Sequence, residues 1–181
     1  MSLVKRLPAL AIVVAFTVAL VSAAPVGAVE PLYGTMDLQF NLGWPGPQDQ
    51  VPDWVGNITI DGNLYDMAFF AIGSGKSFVT DPANLRGRIH FFEEIWIIGY
   101  FEYAFDENGV LTAFDPSTIL MQGNDKGQTN VQTSNYHMSG NVEVANGCFS
   151  MWKGRSVHMS GEIEWYPFGA PFAAPGELRL N

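Results

Sequence analysis

The sequence predicts an all-β domain, an antiparallel β-barrel of about eight to ten strands, with a two-sheet β-sandwich as the alternative. Three observations predict it. Apolar and polar residues alternate with period two in one segment after another. Turn residues recur at short intervals between those segments. After the N-terminal stretch, no amphipathic segment is long enough for three helical turns. The barrel is preferred because the chain reads as a meander of hairpins, and closing a sheet removes its unpaired edges.

Residues 1–28 read as a secretory signal peptide. Lys5 and Arg6 supply the positive start, Leu10 to Val21 the apolar middle, and Val21-Ser22-Ala23 and Val26-Gly27-Ala28 two small-residue cleavage motifs. The uncharged run from Leu7 to Val29 is long enough to span a membrane, so a retained anchor is the alternative, but Pro25 and Gly27 interrupt its second half. Residues 29–181 then make one domain, expected to be secreted and off the membrane once the signal is cleaved. Without Lys5 and Arg6, seven basic residues face 18 acidic ones, a net charge of −11. That balance argues against nucleic acid and anionic lipid as partners, since both need a basic footprint. Cys148 is the single cysteine, so no internal disulfide forms, and its place after a turn suggests a half-buried thiol.

The elements follow in order. Met36, Leu38, Phe40 and Leu42 alternate with polar residues and predict a first strand. Gly43 to Asp53, with Pro45, Pro47 and Pro52, predicts a loop. Trp54–Ile60 and Leu64–Ile72 form a hairpin about Asp61-Gly62-Asn63. Gly73 to Gly87 is polar and reads as a loop. Arg88–Ile98 is apolar on both faces and is expected to be covered on both sides. A bend at Gly99 leads to Tyr100–Phe105 and a turn at Asp106 to Gly109. Two short strands follow, Val110–Phe114 and Thr118–Met121, parted by Asp115-Pro116, and then a polar loop from Gly123 to Asn130. Tyr136–Ala145 runs into Asn146-Gly147, a strong hairpin signal, with Cys148–Trp152 returning. Val157–Tyr166 and Glu177–Leu180 complete the set.

No P-loop, dinucleotide fingerprint, GxSxG, HExxH or paired CxxC is present, which weighs against the common cofactor-dependent and nucleophilic enzymes. Neither a cofactor nor a metal is expected. Glu94 shares a strand parity with His90, Phe92 and Trp96, so a carboxyl in apolar surroundings with a raised pKa could act there as acid or base, oriented by His90. The blander reading is an interior ion pair of that glutamate with Arg88 or Arg155. His137-Met138-Ser139-Gly140 recurs 21 residues later as His158-Met159-Ser160-Gly161, which predicts equivalent places on two strands, with both imidazoles facing one space. Such histidines are candidate ligand contacts, but none lies at the close spacing of metal ligands. Arg155, beside Trp152 and Lys153, is a candidate anion contact.

Trp54-Val55-Gly56-Asn57-Ile58 leading into Asp61-Gly62, then His90-Phe91-Phe92-Glu93-Glu94, and a C-terminal Pro175-Gly176-Glu177-Leu178-Arg179-Leu180 resemble the pattern of secreted calycin-like barrels, including the allene oxide cyclase type. The resemblance covers roughly two-thirds of the domain. It implies a barrel of about eight strands with an apolar lumen, and carries over no catalytic residue. The expected function is a secreted β-barrel that binds a small apolar ligand or an extracellular partner. One alternative is a cofactor-independent cyclase or isomerase using a lumen Glu/His pair. The other is a structural, self-associating surface protein, with the Arg88–Ile98 face as an interface.

Overall fold

The computed structural model describes residues 29–41, 52–71, 76–81, 86–108, 110–165 and 171–181. The signal segment and most of the predicted 43–53 loop lie outside the described residues, as do Leu42, Ile72, Gly109 and Tyr166. Eleven strands follow in chain order: β1 (Leu32–Phe40), β2 (Trp54–Ile60), β3 (Asn63–Ala71), β4 (Lys76–Asp81), β5 (Arg86–Phe105), β6 (Leu111–Asn130), β7 (Asn135–Ala145), β8 (Ser156–Glu162), β9 (Glu164–Trp165), β10 (Pro171–Ala173) and β11 (Gly176–Leu180). A 3-10 helix, Gly147–Trp152, stands between β7 and β8.

Eight of these strands close an antiparallel barrel in the order β1, β2, β3, β5, β6, β7, β8, β11, with β11 returning to β1 from Leu32↔Leu180 to Met36↔Gly176. The predicted barrel, rather than the sandwich, is therefore the fold. Closure gives each strand of the ring a neighbour on both sides, which removes the open edges of a flat sheet. At one end two strands are exchanged. β4 continues along β5 where β3 leaves off, and β10 continues along β1 beyond β11.

Local chemistry explains most of the register. Asp61 (φ 50°) and Gly62 (φ 77°) both take the left-handed region, the requirement of a two-residue hairpin turn between Ile60 and Asn63. In β1, Gly34, Met36 and Leu38 are buried and the residues between them exposed, so the period-two pattern is the core pattern. The interior is filled by Met36, Ile58, Met67, Trp96, Ile98, Met121, Met159 and Leu178, all at or below 2% exposure. The 3-10 helix seals one end with Phe149 and Trp152, Phe149 meeting Tyr65 edge-on at 5.4 Å.

Outside the barrel lies a second, smaller core. Beyond Gly99, β5 and β6 continue as a two-stranded arm folded against β2 and β3. Phe101 and Phe114 of the arm pack with Phe70, Val55, Ala68 and Ile97. The Phe101 amide donates to Asp66 Oδ2 at 2.8 Å, and the Leu111 amide to Asn41 Oδ1 at 3.2 Å. From Ile95 to Ile98, β5 is thus covered on both faces, while Arg88, at the start of the predicted strand, is exposed. The same arm covers Ile95 and Ile97, part of the face that the self-association reading needed exposed.

Several expectations are corrected. Lys76–Asp81, inside the predicted 73–87 loop, is β4. The predicted 123–130 loop is the second half of β6, paired with β5 on one side and β7 on the other. Val110–Phe114 and Thr118–Met121 are not two strands. They belong to one, with Pro116 between the Glu102↔Asp115 and Tyr100↔Thr118 pairs, where a register shift removes the need for its missing N–H. Asn146-Gly147 does not open a hairpin. Cys148–Trp152 is helical, β7 pairs instead with β8, and Cys148 is exposed rather than half-buried. The aromatic pair Phe149 and Trp152 wins over turn propensity because it closes the barrel end.

Candidate functional site: a carboxyl pair inside the barrel

The site begins with a defect in the β5–β6 ladder. Phe91 faces Gly127 and Glu94 faces Asp125, so three steps along β5 match two along β6. This is a β-bulge, and one extra residue reverses the faces. His90, opposite Gln128, is therefore on the outer face, while Glu94 and Trp96 point inward. The expected trio of Glu94, His90 and Trp96 is broken by that single residue. The side chain of Phe92, within the bulge, lies outside the described residues.

Inside, Glu94 and Asp125 stand directly opposite each other at 5% and 4% exposure. Burial raises the Glu94 pKa, and the charges of Asp125 and Asp53 raise it further. Burial also raises that of Asp125, while hydrogen bonding to Glu94 pulls the other way. Two ionised carboxylates cannot donate to each other, and neither Asp125 oxygen has a donor among the described residues. The close approach is therefore satisfied when one carboxyl keeps a proton and donates it to the other.

Beside the pair, the Trp96 indole lies across Gly123, whose absent side chain leaves the room: a Cβ there would press on the ring. Trp96 Nε1 and Thr129 Oγ1 are buried without a partner among the described residues. A cavity of about 30 Å³ adjoins Glu94, walled by Leu38, Trp54, Phe69, Tyr136 and Ile163. That is room for a water or for the terminal group of a ligand. The Tyr136 ring covers Gly161 and Gly176, its hydroxyl 3.5 Å from the carbonyls of Ala174 and Pro175, and burial pushes the phenol up.

The other expected residues are elsewhere. Neither arginine pairs with Glu94. Arg88 donates to Gln128 Oε1 at 3.4 Å on the outer face, and Arg155 is exposed at the end of β8 remote from Ile163. His137 and His158 are exposed on the outer face, brought near each other but not to the carboxyls. Among the described residues no group of three or more His, Cys, Asp or Glu could hold a metal ion. Asp125 and Thr129 were missed because residues 123–130 look like a polar loop. Gly123, Asp125, Gly127 and Thr129 in fact alternate with Asn124, Lys126, Gln128 and Asn130. That is a period-two pattern hidden by an inward set that is small and polar instead of apolar.

Fold and site together define a closed eight-stranded antiparallel barrel with an interior acid pair. Compared with known family models, curated proteins and solved structures, the chain matches none.

Proposed function

We propose that this chain is an exported binding barrel that receives a small amphipathic molecule at the Glu94 end, its hydrogen-bonding head against the carboxyl pair. The observation that carries the reading is a set of buried polar atoms without a partner among the described residues, Thr129 Oγ1, Trp96 Nε1 and the Asp125 oxygen that a protonated Glu94 does not reach, in an apolar-walled interior. Buried polar groups are nearly always satisfied, and each left unmade costs about 1–3 kcal/mol. An alcohol or amine head supplies an N–H or O–H to the Asp125 oxygen that Glu94 leaves unmet, and a hydroxyl can also accept from an indole N–H. The small cavity limits entry to the head group and the first carbons behind it.

Trp96 makes the proposal measurable. Octanol and octylamine are expected to change tryptophan emission saturably, and octane is not. Asp125→Asn is expected to weaken octylamine about tenfold or more, the scale of one charge-assisted hydrogen bond. A folded protein whose emission responds to none of the three probes overturns the reading.

A second reading rests on the shared proton. A carboxyl kept protonated at neutral pH beside an ionised one is a general acid–base pair, which suits a cofactor-independent isomerase or cyclase. There Glu94 is the acid and Asp125, not His90, its partner.

A further inference from the structure

The four-residue repeat has a geometric consequence on the opposite face of the wall. β7 and β8 are antiparallel, and their repeats are centred on the Met138↔Met159 pair. His137 therefore lies across from Ser160, and Ser139 across from His158, two like half-sites related by a local two-fold. Methionine side chains at the centre turn toward the barrel interior, and the imidazoles and hydroxyls turn out. Directly opposite residues sit about 5 Å apart, and the two half-sites about 7 Å apart along the strands. Each pairs a ring nitrogen with a hydroxyl, a donor set matched to one oxyanion group.

The rows extend the same chemistry. Lys126 lies across from Ser139, and Arg179 across from His158, so one row reads Lys126, Ser139, His158, Arg179 over four adjacent strands. His90, Gln128 and His137 form the neighbouring row, with Ser160 next. A shallow groove of about 500 Å³ runs over these residues apart from Arg179, and among the described residues no Asp or Glu lines it. In a chain carrying 18 acidic residues against nine basic ones, that is a local reversal of sign. The overall charge argues against anionic partners; the fold gathers every histidine of the chain and Lys126 where one can bind.

We propose that this outer face is an acid-gated site for a linear polyanion, two of whose oxyanion groups seat on the His137–Ser160 and Ser139–His158 pairs. A protonated imidazole carries a positive charge and two N–H donors. The charged groups facing the pair are Lys126 from β6, Arg179 from β11, Glu177 across from Ser160, and Glu162 across from Asn135. Arg88 on β5 is engaged with Gln128, Glu143 on β7 with Asn124, and Lys76 of β4 is paired with His90 in the ladder. The two rim carboxylates oppose an anion, which is why the site needs protonated imidazoles to bind one.

Calorimetric titration of the purified protein with tripolyphosphate tests this, with orthophosphate as the single-group control. Binding is expected to be about tenfold or more tighter at about pH 5.5 than at about pH 8, to weaken with salt, and to exceed orthophosphate by a similar factor. The double variant His137→Gln, His158→Gln, at two exposed positions, is expected to remove most of the pH dependence. Equal tripolyphosphate affinity at both pH values, or an unchanged double variant, overturns the proposal.

Discussion

Glu94 and Asp125 face each other across the β5–β6 ladder, although Glu94 is three residues from Phe91 and Asp125 only two from Gly127. That one-residue surplus places both carboxyls inside the barrel and His90 outside it. The pair's burial and its mutual repulsion then follow from position alone.

Stability should fall as pH rises. Folding raises the pair's pKa values from the ordinary carboxyl range near 4, Asp125 to about 7 and Glu94 to about 9. Between those limits the folded state holds more protons than the unfolded chain, so the slope of stability against pH is negative. The full stability is present below about pH 4, and the loss is complete above about pH 9. Urea midpoints across this range check the sign. Glu94→Gln keeps the shape and can donate to Asp125, so it should flatten the curve and add about 1–3 kcal/mol at pH 8.

Gly123→Ala should cost about 1–3 kcal/mol, because its Cβ would run into the Asn141 carbonyl oxygen and the Trp96 ring in a filled interior. It should also shift tryptophan emission. Gly62→Ala meets no atom within 4 Å, yet its φ of 77° still costs about 1 kcal/mol. Denaturation of the two variants separates a packing clash from backbone strain, since only the first alters emission.

Tyr136→Phe should be mild, about 0.5–1.5 kcal/mol, since the hydroxyl's contacts to the Ala174 and Pro175 carbonyls are both long. Tyr136→Ala should cost about 3–5 kcal/mol, as it uncovers Gly161 and Gly176 and opens a cavity. Thermal melts of both variants test whether the ring or the hydroxyl matters.

Phe114→Ala should release the arm and leave the barrel intact. The ring joins Phe70 at 5.7 Å and Phe101 at 5.3 Å, and the outer core has few other members. Hydrogen exchange is expected to quicken over residues 100–118 and to stay slow at Trp96, Ile98 and Met121. Uniform loss of protection would show instead that arm and barrel unfold together.

The barrel was legible because alternation and turn chemistry are local. β1, β2 and β3 follow from apolar spacing and from Asp61-Gly62, and the doubly covered 95–98 stretch of β5 from its composition. The site was only half legible. Glu94 stood out as a charge in an apolar strand, but its partner lay in a segment whose inward residues are glycine, aspartate and threonine. Those become core positions only because Trp96 lies over Gly123 and Met138 comes up against Gly127. Parity also failed as a guide between His90 and Glu94, because a bulge is fixed by the neighbouring strand's register.

By itself the sequence determined an all-β, hairpin-rich chain, its Asp61-Gly62 turn and the singular placement of Glu94. Tertiary structure decided the rest: which face of each strand is interior, that Asp125 is the acid partner, and that the histidines gather outside. The physical reason is that side-chain direction in a strand alternates at every residue, so one inserted residue inverts everything beyond it. Only the pairing of strands distant in sequence shows where that insertion falls.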